Sequence, residues 1–264
     1  MVDKISYYFK VWRLYTIDSF SVILSSRFSA IIFTIAKFFR FIFFLLFLVF
    51  ILRSTNSLGG YSEYEVVFFY LTFSLIDSVT QLLFREVYRF RSLIVEGSFD
   101  YILLKPINSL FRSLTGGADL LDLFMLIPII ILLVFSATKT GMFTPFNTIL
   151  FLVFIFNSLI LTTAFHILVL AIGILTTSVD HTVLIYRDVV STGRLPIDVY
   201  REPVRGFLTF ILPVAIVMTV PAKAFLGKLP IELVIVSFIF AAVIFIGSLK
   251  LWRYSLTKYS SASS

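Results

Sequence analysis

The chain has 264 residues, is 59% hydrophobic, has a mean hydropathy of +1.02 and carries a formal net charge of +7. A water-soluble domain of this length needs far more polar surface, so its long apolar blocks are read as spans of a bilayer core about 30 Å thick, which takes roughly 20 apolar residues per helix. No cysteine and only two histidines exclude disulfides, thiolate metal sites and a histidine-rich metal centre. The basic balance is read as membrane topology, not nucleic-acid binding.

In lipid the backbone must satisfy its own hydrogen bonds, which leaves helices as the spans, and the alternation of a membrane barrel is absent. The expected fold is an all-α polytopic membrane protein: an N-terminal interfacial helix plus six transmembrane helices. Residues 1–28 place Tyr7, Tyr8, Trp12 and Tyr15 among Lys4, Lys10, Arg13 and Arg27. That mixture suits an amphipathic helix lying at headgroup level, and it lacks the apolar core and cleavage site of a signal peptide. Residues 29–264 form one transmembrane domain. Its first span is 29–52, with Lys37 and Arg40 near the start, where both either snorkel to the cytoplasmic surface or lie on a wet, bundle-facing surface. The polar loop "RSTNSLGGYSE" follows, then a second span, 63–84, with Asp77 deep inside it. The third span is 114–137. Asp119 and Asp122 at its start share one face and are expected at the membrane surface, and Pro128 is expected to kink it.

The stretch 147–230 reads two ways. In one, 147–177 is a long tilted span, 178–204 is cytoplasmic and a proline-broken span follows. In the other, 147–167 and 169–192 are two spans joined by a tight turn, and 196–228 is a re-entrant pair of short helices. Clustered prolines favour the second, because irregular backbone at membrane depth is tolerated where protein or water covers it. Both give six crossings. The last, 231–251, ends in an anchor of Lys250, Trp252, Arg253 and Tyr254. Lysine and arginine concentrate in the N-terminal segment, the 85–113 loop and the C-terminal segment, while the opposite loops hold Arg53, Lys139 and Lys228. Both termini and the 85–113 loop are therefore expected in the cytoplasm.

That loop contains "VEGSFDYILLKPINSLF". Ser98 is expected to cap a short helix beginning near Phe99, with Asp100 favourably placed at its positive end. Phe99, Ile102 and Leu103 fall at helical spacing, and Pro106 ends the helix. A short amphipathic helix beneath the bilayer needs a partner, either the bilayer or another protein.

These residues resemble the cytoplasmic loop of type-2 ABC exporter permeases. Glu96, Gly97, Ser98, Phe99, Asp100, Leu103, Leu104 and Pro106 stand in the positions of that family's loop motif, with Ser98 where threonine is commoner. A second stretch, "LPIDVYREPVRGFLTFILPVAIVMTVPAKAFLGK", is similar to the family's re-entrant segment before the last span, through Pro196, Tyr200, Arg205, Pro213, Pro221 and Gly227. The resemblance implies that the loop helix is a coupling helix docked to a separate ABC ATPase subunit. It also implies a pore formed with a second permease, the same chain or a paralogue, in a prokaryotic inner membrane.

No Gly-x-x-x-x-Gly-Lys-Ser/Thr string occurs in the sequence. The chain is expected to bind no cofactor, with ATP and Mg on the ATPase partners, and no catalytic or metal-binding constellation emerges. Intramembrane ionisable residues are candidates for function. Asp77 reads either as a substrate or gating residue or as a structural partner of Lys37 or Arg40. His166 reads as a packing residue. Asp180, His181, Arg187 and Asp188 form the polar face of an amphipathic helix, which can line a water-filled path. A largely apolar interior points to a hydrophobic or amphiphilic substrate. The competing readings are an ion-gradient-driven transporter or channel working through Asp77, a membrane scaffold, and an intramembrane enzyme.

Overall fold

A computed structural model describes residues 2–55, 57–176 and 179–260. They form helices and short turns, with an isolated bridge between Leu58 and Tyr61. The expected all-α membrane fold is therefore found. Among the described residues, five helices are long and apolar enough to cross a membrane, and a bent pair makes a sixth if counted as one span.

The first helix, α1 (Val2–Ser25), is followed after Ser26 by α2 (Arg27–Thr55). α1 lies on residues 108–118. Tyr8 stacks edge-on against Phe111 at 4.8 Å, the Arg112 guanidinium sits 4.6 Å over the Tyr15 ring, and Ala118 N donates to Thr16 Oγ1 at 3.3 Å. The approach is so close that a Cβ on Gly117 would fall 2.7 Å from the Tyr15 carbonyl oxygen, so glycine is required there.

α3 (Glu63–Phe84) begins where Ser62 N donates to Glu65 Oε2 at 2.9 Å, and it runs through a 3₁₀ turn (Arg85–Arg89) into α4 (Phe90–Val95). Two further short helices follow, α5 (Phe99–Leu104) and α6 (Ser109–Leu114). The third span, α7 (Leu120–Lys139), starts later than the sequence suggested. Asn108 caps α6 by accepting from Phe111 N, and Asp119 caps α7 by accepting from Leu121 N, so two capped helices replace one start at 114. Pro128 lies inside α7, which remains one helix.

The expected turn at 168 is absent. α8 (Pro145–Thr176) is one helix of 32 residues, about 48 Å long at 1.5 Å per residue. The stretch "LTTAFHILVLAIGILT" holds no proline, and the hydroxyls of Thr162, Thr163 and Thr176 donate back to carbonyls one turn earlier, so nothing there opens the helical ladder. α8 is continuous to Thr176, and α9 (Val179–Ser191) follows. Val183 and Tyr186 of α9 pack among Phe84, Phe90, Phe99, Leu170 and Trp252. Val189, Val190 and Leu195 pack in the main core, and Asp198 then meets Tyr61. The chain from 183 to 198 thus runs from the Trp252 end of the bundle to the Tyr61 end.

The next segment consists of α10 (Val204–Ile211) and α11 (Ala215–Phe225), bent by 83° at the break between them. That break holds Leu212, Pro213 and Val214, and Pro213 supplies no backbone donor. Arg205, at the start of α10, and Lys223, near the end of α11, both pair with Asp198, at 3.1 and 2.7 Å. The segment therefore enters and leaves at the same end of the bundle. The last helix, α12 (Ile231–Lys258), packs along α8. Ser237 and Ala241 are buried in that contact, and Asn157 Nδ2 donates to the Ser237 carbonyl at 3.3 Å. Small residues let the two backbones approach, and the amide ties them across the seam.

Candidate functional site

The polar residues of the membrane helices collect on one cavity between α2, α3 and α9. Asp77 and Gln81 are one turn apart on α3. Arg187 on α9 and Arg194 in the turn beyond it are seven residues apart and so share a face. Together with Arg40 of α2, Tyr88 and Asp188 they line a space of about 460 Å³. Arg40 and Asp77 also line two adjoining spaces of about 360 and 330 Å³. The larger of these runs along Phe41, Phe44, Phe47, Tyr70 and Phe73.

Two cations beside the cavity are fully engaged. Lys37 Nζ donates to Asp122 at 2.8 Å and lies 3.9 Å from Asp119, and Arg85 is 3.3 Å from Asp119. Asp119 and Asp122 are each 5% exposed. They are thus ion-pair members buried within the bundle, and Lys37 turns inward to them instead of snorkelling. An unpaired carboxylate in such a site costs several kcal/mol, which explains why the lysine is held. Arg40 likewise faces the cavity, and Lys37 pairs with Asp122 in place of the suggested Asp77.

Arg40, Arg187 and Arg194 differ from these. Among the described residues none of the three forms an ion pair. All three line the same space as Asp77. Arg194 rests over the rings of Phe44 and Phe73, at 5.4 and 5.8 Å, and Arg187 lies 5.8 Å from the centre of Tyr88. His166 sits behind this wall. Its Nδ1 is 2.8 Å from the Thr162 carbonyl, and its ring lies among Phe84, Tyr88 and Tyr186, which is the packing role read from sequence. Of the residues expected on a water-filled path, Asp77 and Arg187 line the cavity. His181 is exposed and lines none of its three parts. The side chain of Asp180 lies outside the described residues.

The loop motif makes a second candidate surface. Gly97 has φ +70, a left-handed turn that glycine takes without strain, and it aims α5 back at the bundle. Ser98 does not cap α5. Its backbone is already helical and its side chain makes no cap bond; Asp100 N donates instead to the Gly97 carbonyl at 3.2 Å. Lys105 is extended, as a residue before proline must be, so the helix ends ahead of Pro106.

The apolar stripe of Phe99, Ile102 and Leu103 is divided between two faces. Phe99 is fully buried and Ile102 nearly so. Phe99 meets Phe90, Trp252 and Tyr259 at ring distances of 5.3, 6.4 and 5.1 Å. The side chains facing out are Tyr101, Leu103 and Leu104, at 69%, 41% and 82% exposure, with Glu96, Lys105 and Pro106 exposed around them. Burial, and then the neighbouring Asp100 carboxylate, push the Tyr259 hydroxyl up to about 12. It is therefore neutral at physiological pH.

Arg205 meets Asp198 at the Tyr61 end, while Pro213 lies at the bend of the re-entrant pair. Pro196, Pro213 and Pro221 are buried, Gly227 follows α11, and the Tyr200 hydroxyl donates to the Thr192 carbonyl at 2.8 Å. The sequence reading missed Asp198, which joins Arg205, Lys223 and the Tyr61 hydroxyl. Burial alone would raise its carboxyl. Hydrogen bonds from Lys223 and Tyr61 and the charges of Lys223 and Arg205 outweigh burial and hold it below the ordinary range. The signal available was Lys223, a lone charge in the apolar run 206–227, with Asp198 and Arg205 in the charged stretch before it.

Apolar spanning helices around a cavity lined by charged side chains are the marks of a membrane transport protein. The pattern of the ABC-2 family transporter protein matches residues 38–263, and the chain belongs to that family. No curated protein matches the chain.

Proposed function

We propose that this chain is the permease subunit of an ATP-driven exporter in a cytoplasmic membrane, with both termini and residues 85–113 on the cytoplasmic side. Separate ABC ATPase subunits bind ATP and Mg, because the sequence holds no phosphate-binding loop of its own. A second permease, the same chain or a paralogue, completes the pathway for a hydrophobic or amphiphilic substrate.

One observation carries this reading. α5 is anchored from behind by Phe99 and Ile102 yet presents Tyr101, Leu103 and Leu104 outward. A six-residue helix gains nothing for its own fold from three exposed apolar side chains. A protein partner gains a rigid apolar knob backed by the bundle. Force on that knob passes through Phe99 to Trp252 of α12, and so into the membrane helices as a rigid-body displacement.

The test is purification of the tagged chain from its native membrane. An ATPase subunit is expected to accompany it, and Leu104→Asp is expected to remove that subunit while leaving the permease folded. ATP-independent transport by the chain alone in proteoliposomes would overturn the proposal.

A further inference from the structure

We infer that the cavity between α2, α3 and α9 binds an anionic amphiphile, with Arg40, Arg187 and Arg194 holding the headgroup. The inference rests on the transport reading and names its substrate class.

Its basis is an imbalance in pairing. Several cations elsewhere in the bundle are matched: Lys37 with Asp122, Arg85 with Asp119, Arg112 with Glu86, Lys223 with Asp198. The three cavity arginines come from positions far apart in sequence, converge on one space, and have no ion-pair partner among the described residues. Two carboxylates face them. Asp77 lies among the three, and Asp188 is exposed where α9 borders the cavity. Three guanidinium groups against two carboxylates leave an excess of positive charge on a cavity to which Arg40 and Arg187 lie open.

The geometry of Arg194 adds to this. Its guanidinium lies over Phe44 and Phe73. These cation–π contacts involve the ring faces and leave N–H groups to donate, and a guanidinium takes a carboxylate or phosphate through two parallel hydrogen bonds. From the same arginine the cavity continues along Phe41, Phe44 and Phe47, a wall suited to a hydrocarbon chain. Head and tail positions thus adjoin in one space. A cationic amphiphile would meet three like charges and would have only Asp77 and Asp188 to hold it.

The test uses the full chain in nanodiscs of zwitterionic lipid and reads equilibrium binding of radiolabelled dodecyl phosphate. Unlabelled dodecyl phosphate and dodecanoate are expected to compete at least tenfold better than dodecyltrimethylammonium, which carries the same tail. Arg187→Gln and Arg194→Gln are each expected to weaken dodecyl phosphate about tenfold, the loss of a charge-assisted hydrogen bond, with Arg194→Lys recovering part of it. Equal or better competition by the cationic amphiphile, equal competition by inorganic phosphate, or unchanged binding in both glutamine variants would overturn the inference. If the glutamine variants do not fold, the competition by headgroup charge on the unaltered chain decides alone. No ATPase takes part in this assay, so its failure leaves the exporter reading standing, and loss of the ATPase partner would leave the binding intact.

Discussion

At the scale of single residues, the interior charges are structural only where they are paired. Lys37 is held by Asp122 and Asp119, so Lys37→Met is expected to cost about 3–5 kcal/mol, because it leaves carboxylates buried without compensation. Adding Asp122→Leu should recover much of that loss, since replacing both partners removes the orphaned charge. Thermal unfolding of the single and double variants in detergent measures both. Asp198 gives a pH-dependent case. Its carboxyl is held below the ordinary range, so the stability it contributes is complete above about pH 4, the unfolded value, and is lost as pH falls through the lower folded value. Asp198→Asn is expected to cost on the order of 2 kcal/mol near neutrality. The gap in unfolding temperature between the native chain and the variant should then close as the pH is lowered below about 4. A gap that persists in acid would show that the carboxylate is not what ties Arg205 and Lys223 together.

At the scale of elements, α5 separates a residue that anchors from one that presents. Phe99→Ala empties a site enclosed by Phe90, Trp252 and Tyr259 and is expected to destabilise by about 3–5 kcal/mol. Leu104→Ala, at a side chain 82% exposed, should change stability by less than about 0.5 kcal/mol. Chemical denaturation of the two variants tests the contrast. The sequence made α5 legible at its ends: the turn at Gly97 and the stop before Pro106 are local backbone properties. It did not reveal which face would be used, because Phe99, Ile102 and Leu103 are alike in hydropathy and only the position of Trp252 and Tyr259, some 150 residues later, decides the matter. The same distinction explains the misplaced break in α8. Length and apolar content marked the stretch as too long for one ordinary span, but no residue near 168 interrupts a helix, and α8 is continuous to Thr176. In the cavity, Asp77 stood out as a lone charge in an apolar run. Arg194 did not, since it lies in a segment of mixed charge, and its meeting with Arg40 is a product of tertiary packing.

At the scale of the whole molecule, the two ends of the bundle are built for different work. The Tyr61 end is closed by ion pairs that gather α3, α10, α11 and the turn at Asp198. The Trp252 end gathers α4, α5, α8, α9 and α12 around aromatic rings and leaves apolar side chains of α5 uncovered. Between them lies the charged cavity. Motion imposed at the Trp252 end can therefore reach α9 and α12, one of which lines the cavity, without first breaking the ion pairs opposite. Because the chain contains no cysteine, single cysteines can be introduced without a background. The most direct measurement places one at Leu104, one at Ile102 and one at Gly60, treats native membranes with a thiol-to-amine cross-linker, and identifies what is captured. An ATPase subunit joined to the Leu104 variant, and not to the Ile102 or Gly60 variants, is the predicted result. Capture of that subunit from Gly60, or of no ATPase subunit from Leu104, would contradict it.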